Sequence, residues 1–219
     1  MAYLALQPHV GFALVEERPI FLDIRRDRYF GLDRDAEEGF LAAHRSNGAL
    51  DVEDELAARL LATGLFTSDA RPRPADAAAI RRPERGLSGG GSRLRPTDLA
   101  STWLLIGRAR RQLRKQPLER VIDQRRMRGR PTSDWSPDEV EAFCARFSRA
   151  RSLVPIGPTC LQDSLALRDW LDSRRASAAI VFGVKLDPFA AHCWVQSDNI
   201  VLNDAPDKVR EFTPIFVVP

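Results

Sequence analysis

A cysteine that could act as a nucleophile stands at the start of a predicted helix. Cys160 follows Gly157–Pro158–Thr159, and the apolar spacing after it predicts a helix to about Ser173, with Thr159 as its N-cap. Unpaired backbone N–H groups and the helix dipole favour a thiolate at this place. The same N–H groups can donate to the oxyanion of a tetrahedral intermediate. Cys160 is therefore a candidate catalytic nucleophile.

A histidine and an aspartate follow the cysteine on two predicted strands. His192 lies at the start of Ala191–Gln196, and Asp204 lies at the end of Asn199–Asn203. Both are six residues from Asp198 in the intervening turn, so we expect them to face each other across the hairpin. A carboxylate there would orient the imidazole, and the imidazole would take the thiol proton.

Each of these three residues also has a structural interpretation. A cysteine at a helix start is more commonly a small buried residue, and a strand histidine is commonly just packed or exposed. Asp204, within Asn-Asp-Ala-Pro, could be a turn former. Together, in helix–strand–strand order, they favour catalysis. Cys144 and Cys193 are expected in the core, because Cys193 points to the sheet face opposite His192.

The order of these residues resembles a known family. Cys160 opens Cys-Leu-Gln-Asp-Ser-Leu-Ala-Leu, His192 opens His-Cys-Trp-Val, and Asp204 follows Asn203. These stretches are similar to those of the lasso-peptide B proteins, which are transglutaminase-like cysteine proteases. The resemblance implies that Cys160, His192 and Asp204 form a catalytic triad in a papain-like domain of helices and an antiparallel sheet.

The same resemblance implies a biological role. Such a protein binds a ribosomally made lasso precursor peptide and cleaves off its leader. A separate, ATP-dependent, asparagine-synthetase-like cyclase then closes the macrolactam ring. No phosphate-binding motif is present here, because the Gly-rich stretch Gly86–Gly91 lacks the following Gly-Lys-Ser/Thr. Any ATP requirement would belong to the cyclase, and no cofactor is expected.

The N-terminal residues predict a small unit of three strands and two helices. Its middle strand shows apolar residues at a period of two, and turn-forming residues separate it from its neighbours. The strands are expected around Phe12–Glu16, Ile20–Arg25 and Tyr29–Leu32, and the helices from Asp33 or Asp35 to about Ser46 and from Val52 to Ala62, with Gly64 as a cap.

This unit resembles the winged-helix-like leader-recognition domain typified by PqqD. The resemblance rests on Leu22–Asp23 and on Tyr29-Phe30-x-Leu32. It implies that the leader adds as an extra strand to the third strand of the unit, with contacts at Asp27, Tyr29, Phe30 and Leu32. Residues 47–52 leave no room for the further helix that such domains usually have, so a reduced helical side of the groove is expected.

The composition of the chain divides it into two domains of an α+β fold. Residues 67–96, rich in Pro, Gly and Arg, predict a flexible linker between a recognition domain at 1–66 and a catalytic domain at 97–219. Within the catalytic domain, helix starts are expected at Thr97–Asp98 and Ser136–Pro137, and further strands at Ala178–Val184 and, as an edge, Ile215–Val218.

The distribution of charge indicates which class of partner the chain could bind, and the cysteine content indicates its cellular compartment. Residues 71–131 carry 17 basic and 5 acidic groups, a net of +12. Only three of the 33 basic residues in the chain are Lys, and no aromatic platform accompanies them, so a solvated helical face is favoured over nucleic-acid binding.

Three cysteines, no secretory signal and no apolar run of membrane-spanning length predict a cytoplasmic protein without disulfides. His9 and His44 lack ligand spacing with any cysteine, so no metal site is expected.

Two other functions remain open from the sequence. The same triad could serve a transglutaminase-like amide-transfer enzyme, because an amine instead of water could resolve the acyl-enzyme. The chain could also be a non-catalytic adaptor that delivers the precursor to its cyclase. The presence of all three candidate catalytic residues argues against the adaptor.

Overall fold

The computed structural model describes residues 3–45, 55–69, 78, 80–87, 93–128 and 135–219. Helices combine with antiparallel sheets in these ranges, which confirms the α+β class. The strands are β1 (Tyr3–Leu6), β2 (Val10–Val15), β3 (Arg18–Asp23), β4 (Arg28–Gly31), β5 (Phe66–Asp69), β6 (Ala179–Lys185), β7 (Ala190–Ser197), β8 (Ile200–Val201) and β9 (Thr213–Val218). The helices are α1 (Arg34–Arg45), α2 (Glu55–Ala62), α3 (Pro96–Lys115), α4 (Leu118–Arg126), α5 (Pro137–Arg151), α6 (Cys160–Asp172) and α7 (Pro206–Val209).

The N-terminal unit contains the predicted three-stranded meander. Strands β2, β3 and β4 form one antiparallel sheet in that order, so β4 is an outer strand. Asp33 caps α1, since its carboxylate accepts the backbone N–H of Ala36 at 3.0 Å. Gly64 follows α2 with a φ of +74°, the left-handed conformation expected of a C-cap. The predicted helix boundaries at Ser46 to Val52 lie outside the described residues.

The sequence reasoning missed two strands of this unit. Strands β1 and β5 form a separate antiparallel pair, with Tyr3 opposite Asp69. Each strand has only four residues, and the paired residues are 60 to 66 positions apart, so no local pattern predicts the pairing. The N-terminal unit therefore extends to residue 69 instead of ending at 66.

Apolar side chains pack against both faces of strands β2 and β3. The phenylalanines at positions 12 and 21 pack against Phe40 of α1 and Leu60 of α2. On the other face, Ala13, Ile20 and Leu22 belong to the same apolar cluster as Ile215 and Phe216 of β9. The approach is close: a Cβ on Gly11 would lie 2.3 Å from the carbonyl oxygen of Ile215. The two units thus share a core, which a freely swinging tether would not allow.

Part of the predicted linker packs against the C-terminal unit, which begins with α3. The backbone N–H of Glu84 donates to the carbonyl of Asn199 at 2.8 Å, and that of Val201 donates to the carbonyl of Arg85 at 2.9 Å. The guanidinium of Arg210 donates to the carbonyl of Pro83 at 2.9 Å. Residues 80–87 therefore cover the outer edge of β8, which differs from the flexible linker predicted over 67–96. Proline is compatible with this role, because an edge segment needs only some of its N–H groups.

The C-terminal unit places one helix against a four-stranded sheet. The strand order is β8-β7-β6-β9, all antiparallel, and β9 is an edge strand as predicted. Helix α6 contacts β7 on one side and α3 and α5 on the other, so its Trp170 and Leu165 are fully buried. No helix in the described ranges has the length and apolar character needed to cross a membrane.

The structure confirms the predicted start of α5 and moves the start of α3 to an earlier residue. Ser136 caps α5 and its hydroxyl accepts the N–H of Glu139, as expected of a capping box. Helix α3 instead begins at Pro96, before the predicted cap at Thr97–Asp98. The Asp98 carboxylate accepts the backbone N–H of Arg95 at 3.1 Å, so it caps the helix from inside the first turn.

Candidate active site

The structure places Cys160 at the first position of α6, at the surface. Thr159 has an extended backbone and precedes the helix as predicted, although its side chain makes no capping hydrogen bond. Cys160 is exposed, whereas Cys144 and Cys193 are buried. Burial raises the pKa of both buried thiols, which keeps them protonated and unreactive. Among the three cysteines, Cys160 alone has the exposure that a nucleophile requires.

The surroundings of Cys160 favour the thiolate. A hydrogen bond from the His192 side chain lowers the pKa of the Cys160 thiol most, and partial burial opposes it. The positive charge of His192 and the backbone N–H groups of Cys193 and Leu161 lower this pKa further. These two backbone N–H groups are therefore candidate donors for an oxyanion that forms next to the sulfur.

His192 lies between Cys160 and Asp204. Its Nε2 is 2.6 Å from Oδ2 of Asp204, so Nδ1 is the ring nitrogen left for the thiol. The imidazole is almost fully enclosed and packs against the rings of Phe212 and Trp194. The hydrogen bond with Cys160 raises the pKa of His192 above its usual value, burial opposes it, and the bond with Asp204 supports it. The structure thus brings the three predicted residues together in the order that a nucleophile, a base and an orienting carboxylate would take.

Asp204 reaches the histidine by a route that differs from the prediction. Strands β7 and β8 pair Gln196 with Val201 and Ser197 with Ile200, so the turn is centred between residues 198 and 199. This register is one residue away from a hairpin centred on Asp198. Strand β8 also ends at Val201, and Asp204 lies in the loop that follows. The predicted ladder between His192 and Asp204 was therefore wrong, although the contact exists.

Side chains that the sequence reasoning gave no role hold this loop in place. The amide oxygen of Asn203 accepts the backbone N–H of Val195 at 2.8 Å, and its NH₂ group donates to Ser164 Oγ at 3.0 Å. Ser164 in turn donates to the carbonyl of Cys193 at 3.2 Å. Ser164 stands one helical turn after Cys160, and this i, i+4 spacing was the signal that could have identified it. Helix, strand and loop are thereby fixed together at the site.

A lysine completes the surroundings of the carboxylate. Lys208 Nζ lies 2.8 Å from Oδ2 of Asp204, the same oxygen that faces His192. Burial acts to raise the pKa of Asp204, but hydrogen bonds from Lys208, from the backbone N–H of Ala205 and from His192 outweigh it and hold the pKa below its usual value. The charge of Lys208 also acts to lower the pKa of His192. Its i, i+4 spacing from Asp204 went unused in the sequence reasoning.

The four expected leader contacts do not line a single groove. Asp27 lies in the exposed turn between β3 and β4, with a φ of +51°. Phe30 and Leu32 pack on the core of the N-terminal unit. Tyr29 faces the core shared with the C-terminal unit, because neighbouring strand residues point to opposite faces. What these residues share is their position on or beside the outer strand β4. No group of three or more His, Cys, Asp or Glu side chains in the described ranges is placed to hold a metal ion.

Comparison with known proteins agrees with this geometry. The family model of the Transglutaminase-like superfamily matches residues 103–217, which is more than half of the chain and includes all three candidate catalytic residues. The chain belongs to the transglutaminase-like superfamily. Its helix-plus-sheet unit is the part that carries this membership, and the N-terminal unit lies outside the matched span.

A curated relative supports the resemblance to the lasso-peptide B proteins. This transglutaminase-like protein is 46% identical over 48 residues to the microcin J25-processing protein McjB of Escherichia coli. The match covers 22% of the present chain and 23% of the length of McjB. No solved structure matches the chain.

Proposed function

We propose that this transglutaminase-like protein is a cysteine peptidase that removes the leader of a ribosomally made lasso precursor peptide. The observation that carries the proposal is the contact of His192 with Asp204 at 2.6 Å, beside an exposed cysteine at a helix N-terminus. This arrangement activates a thiol for acyl transfer. The likeness to a microcin-processing protein supports a precursor peptide as the substrate class.

The geometry suggests how the proposed cleavage proceeds. The Cys160 thiolate attacks the scissile carbonyl, and the oxyanion accepts hydrogen bonds from the backbone N–H groups of Leu161 and Cys193. The His192 imidazolium gives its proton to the leaving amine, which frees the core peptide and leaves the leader as a thioester on Cys160. A water molecule then loses a proton to His192 and attacks the thioester. The leader departs with a free carboxylate, and the thiolate returns.

The N-terminal unit supplies recognition in this proposal. Strand β4 is the outer strand of its sheet, so an extended leader can pair with it as a fourth strand. Ring closure is assigned to a separate ATP-dependent cyclase that receives the cleaved peptide. The steps assigned to Cys160, His192 and Asp204 need neither ATP nor a metal ion.

The test is cleavage of the precursor in isotopically labelled water. The purified full chain is incubated in H₂¹⁸O with the short precursor peptide encoded beside its gene, and the products are analysed by mass spectrometry. A peptidase places one ¹⁸O atom in the new leader carboxylate. An amide-transfer enzyme instead yields a leader amide when an amine is supplied, and an adaptor yields intact precursor. Cys160→Ala should leave the precursor intact, and Cys144→Ala is the matched control that should still cleave it.

A further inference from the structure

One edge of β7 is only partly covered by another strand. Strand β8 pairs with Gln196 and Ser197 at the end of β7 and stops at Val201. In the part of the chain that the structure describes, no strand continues along this edge toward His192. The backbone groups of β7 on this edge therefore need partners of another kind.

Groups outside the sheet pair with this open edge. The backbone N–H of Val195 donates to Oδ1 of Asn203 at 2.8 Å, and the carbonyl of Val195 accepts the N–H of Leu202 at 2.9 Å. Two residues earlier, the carbonyl of Cys193 accepts the hydroxyl of Ser164 at 3.2 Å. Because both backbone groups of a residue in an antiparallel strand point to the same edge, the N–H of Cys193 opens to this edge as well.

Ser164 connects the helix of the candidate nucleophile to this edge. It lies in α6 one turn after Cys160, so the two side chains share a helix face. The oxygen of Ser164 accepts the NH₂ group of Asn203 at 3.0 Å, which leaves its hydrogen for the Cys193 carbonyl. Ser164 is fully buried, so water cannot take its place. The His192 side chain lowers the pKa of the Cys160 thiol most, and a hydrogen bond from the N–H of Cys193 lowers it further.

We infer that Ser164 and Asn203 are positioning residues that hold the N–H of Cys193 in place for an oxyanion formed at Cys160. The inference deepens the proposed function and rests on it, because an oxyanion forms only if Cys160 attacks a carbonyl. Loss of an oxyanion donor costs about a hundredfold to a thousandfold in rate. Displacement of a donor that remains present should cost less, about tenfold to a hundredfold.

Two reagents distinguish a change at the oxyanion from a change in the thiolate. With p-nitrophenyl acetate, the Cys160 thiolate adds to the ester carbonyl to give a tetrahedral oxyanion. p-Nitrophenolate then leaves, and water hydrolyses the acetyl thioester to acetate and the free thiol. With iodoacetamide, the thiolate displaces iodide and forms a thioether without any oxyanion. Both rates are measured on the full chain at the plateau of their pH profiles, and the rate of the Cys160→Ala chain is subtracted.

Ser164→Ala should lower the ester rate by about tenfold to a hundredfold and leave the iodoacetamide rate within about twofold of the wild type. Asn203→Asp is a second variant at a half-buried position. It keeps an acceptor for Val195, but its carboxylate draws the hydroxyl of Ser164 away from β7, so the same split is expected. Ser197→Ala is the matched control, because Ser197 also lies in β7 and donates to the carbonyl of Ser177 at 3.0 Å. It should keep both rates.

An equal fall of both rates in Ser164→Ala would indicate a general loss of structure and would overturn the positioning role. Unchanged ester rates in Ser164→Ala and Asn203→Asp, or the same split in Ser197→Ala, would overturn it as well.

The outcome is separable from that of the proposed function. A chain whose ester rate depends on Ser164 but which never cleaves a precursor keeps the positioning pair and loses the peptidase. A chain that cleaves its precursor equally well after Ser164→Ala loses the positioning pair alone. A wild-type chain that p-nitrophenyl acetate does not acylate at Cys160 would overturn both.

Discussion

The candidate catalytic cluster and the outer strand β4 differ in how far their polar groups are already paired within the chain. In the cluster, each reacting group already has a polar partner, from Cys160 through His192 to Asp204 and Lys208. Strand β4 is paired with β3 on one side, and the structure describes no strand on its other side. The comparison teaches that the groups of the proposed chemistry are already paired in the free chain, whereas the proposed recognition strand would be completed by its ligand.

The largest expected effect separates the two regions. Cys160→Ala should reduce precursor cleavage by on the order of 10³-fold or more, because the attacking atom is lost. Leader binding should stay within about twofold of the wild type, since β4 belongs to the other unit. Cleavage is followed by mass spectrometry, and binding by titration of a fluorescently labelled leader. If the Cys160→Ala chain still cleaved the precursor, the cluster around Cys160 would not be the site of cleavage.

The second-largest expected effect distinguishes the contribution of His192 to activity from that of Asp204. His192→Ala should approach the loss seen for Cys160, because His192 both activates the thiol and protonates the leaving amine. Asp204→Asn should retain measurable activity, with a loss of about ten- to a hundredfold, because Phe212 and Trp194 still hold the imidazole ring. Steady-state kinetics on the precursor gives both values. Full activity of Asp204→Asn would indicate that Asp204 forms a turn and does not orient His192.

A pair of proline substitutions tests the outer strand. Arg28 and Gly31 are both exposed in β4 and are three residues apart, so their N–H groups point to opposite edges. One N–H faces β3 and the other faces outward. We expect one variant to weaken leader binding by about tenfold with an unchanged melting temperature. The other variant, which loses the N–H that faces β3, should instead melt at a lower temperature than the wild type.

Leader titration and thermal melting on Arg28→Pro and Gly31→Pro decide between these outcomes. Cys160 should react with iodoacetamide at the wild-type rate in whichever variant is folded. Two stable variants with unaltered leader binding would show that the leader does not pair with β4.

The smallest expected effect concerns the pH profile. With the pKa of Cys160 lowered and that of His192 raised, the thiolate–imidazolium pair forms as pH rises through the first pKa and is lost as pH rises through the second. The charge of Lys208 lowers the pKa of His192, so Lys208→Met should move the alkaline limb to higher pH. The change in rate should be fivefold or less, roughly the size expected of a partly exposed ion pair.

Lys185→Met is the matched control for this profile, because Lys185 pairs with Glu211 at 2.6 Å without touching Asp204. Its alkaline limb should coincide with that of the wild type. A shift toward lower pH in Lys208→Met would show that the charge of Lys208 does not act on His192.

Local pattern was enough for the elements that carry the candidate catalytic residues, but not for their exact register. The apolar spacing after Cys160 predicts α6 to within a residue of its end, and the Ser-Pro signal predicts α5. The position of the β7–β8 turn could not be read, because either Asp198 or Asn199 can occupy it. Contacts such as that of Lys208 with Asp204 depend on a loop path that no periodicity describes.

Long-range packing explains the remaining differences. The Pro- and Gly-rich composition of residues 67–96 predicts a tether, yet residues 80–87 lie on β8 and the two units share a core. A fragment ending at residue 66 would lose β5 and expose Ile20 and Leu22, which β9 covers in the full chain. Leader binding is therefore tested on the full chain and not on a fragment of residues 1–66.

The most direct measurement is the capture of the acyl-enzyme. Wild-type protein and precursor are mixed, quenched in acid within the first turnover, digested and analysed by mass spectrometry. The proposed mechanism predicts a thioester on the peptide that contains Cys160, with the added mass of the leader less one water molecule. His192→Ala should form no such adduct. Release of the leader without this adduct at any quench time, or an adduct on Cys144 or Cys193 instead, would contradict it.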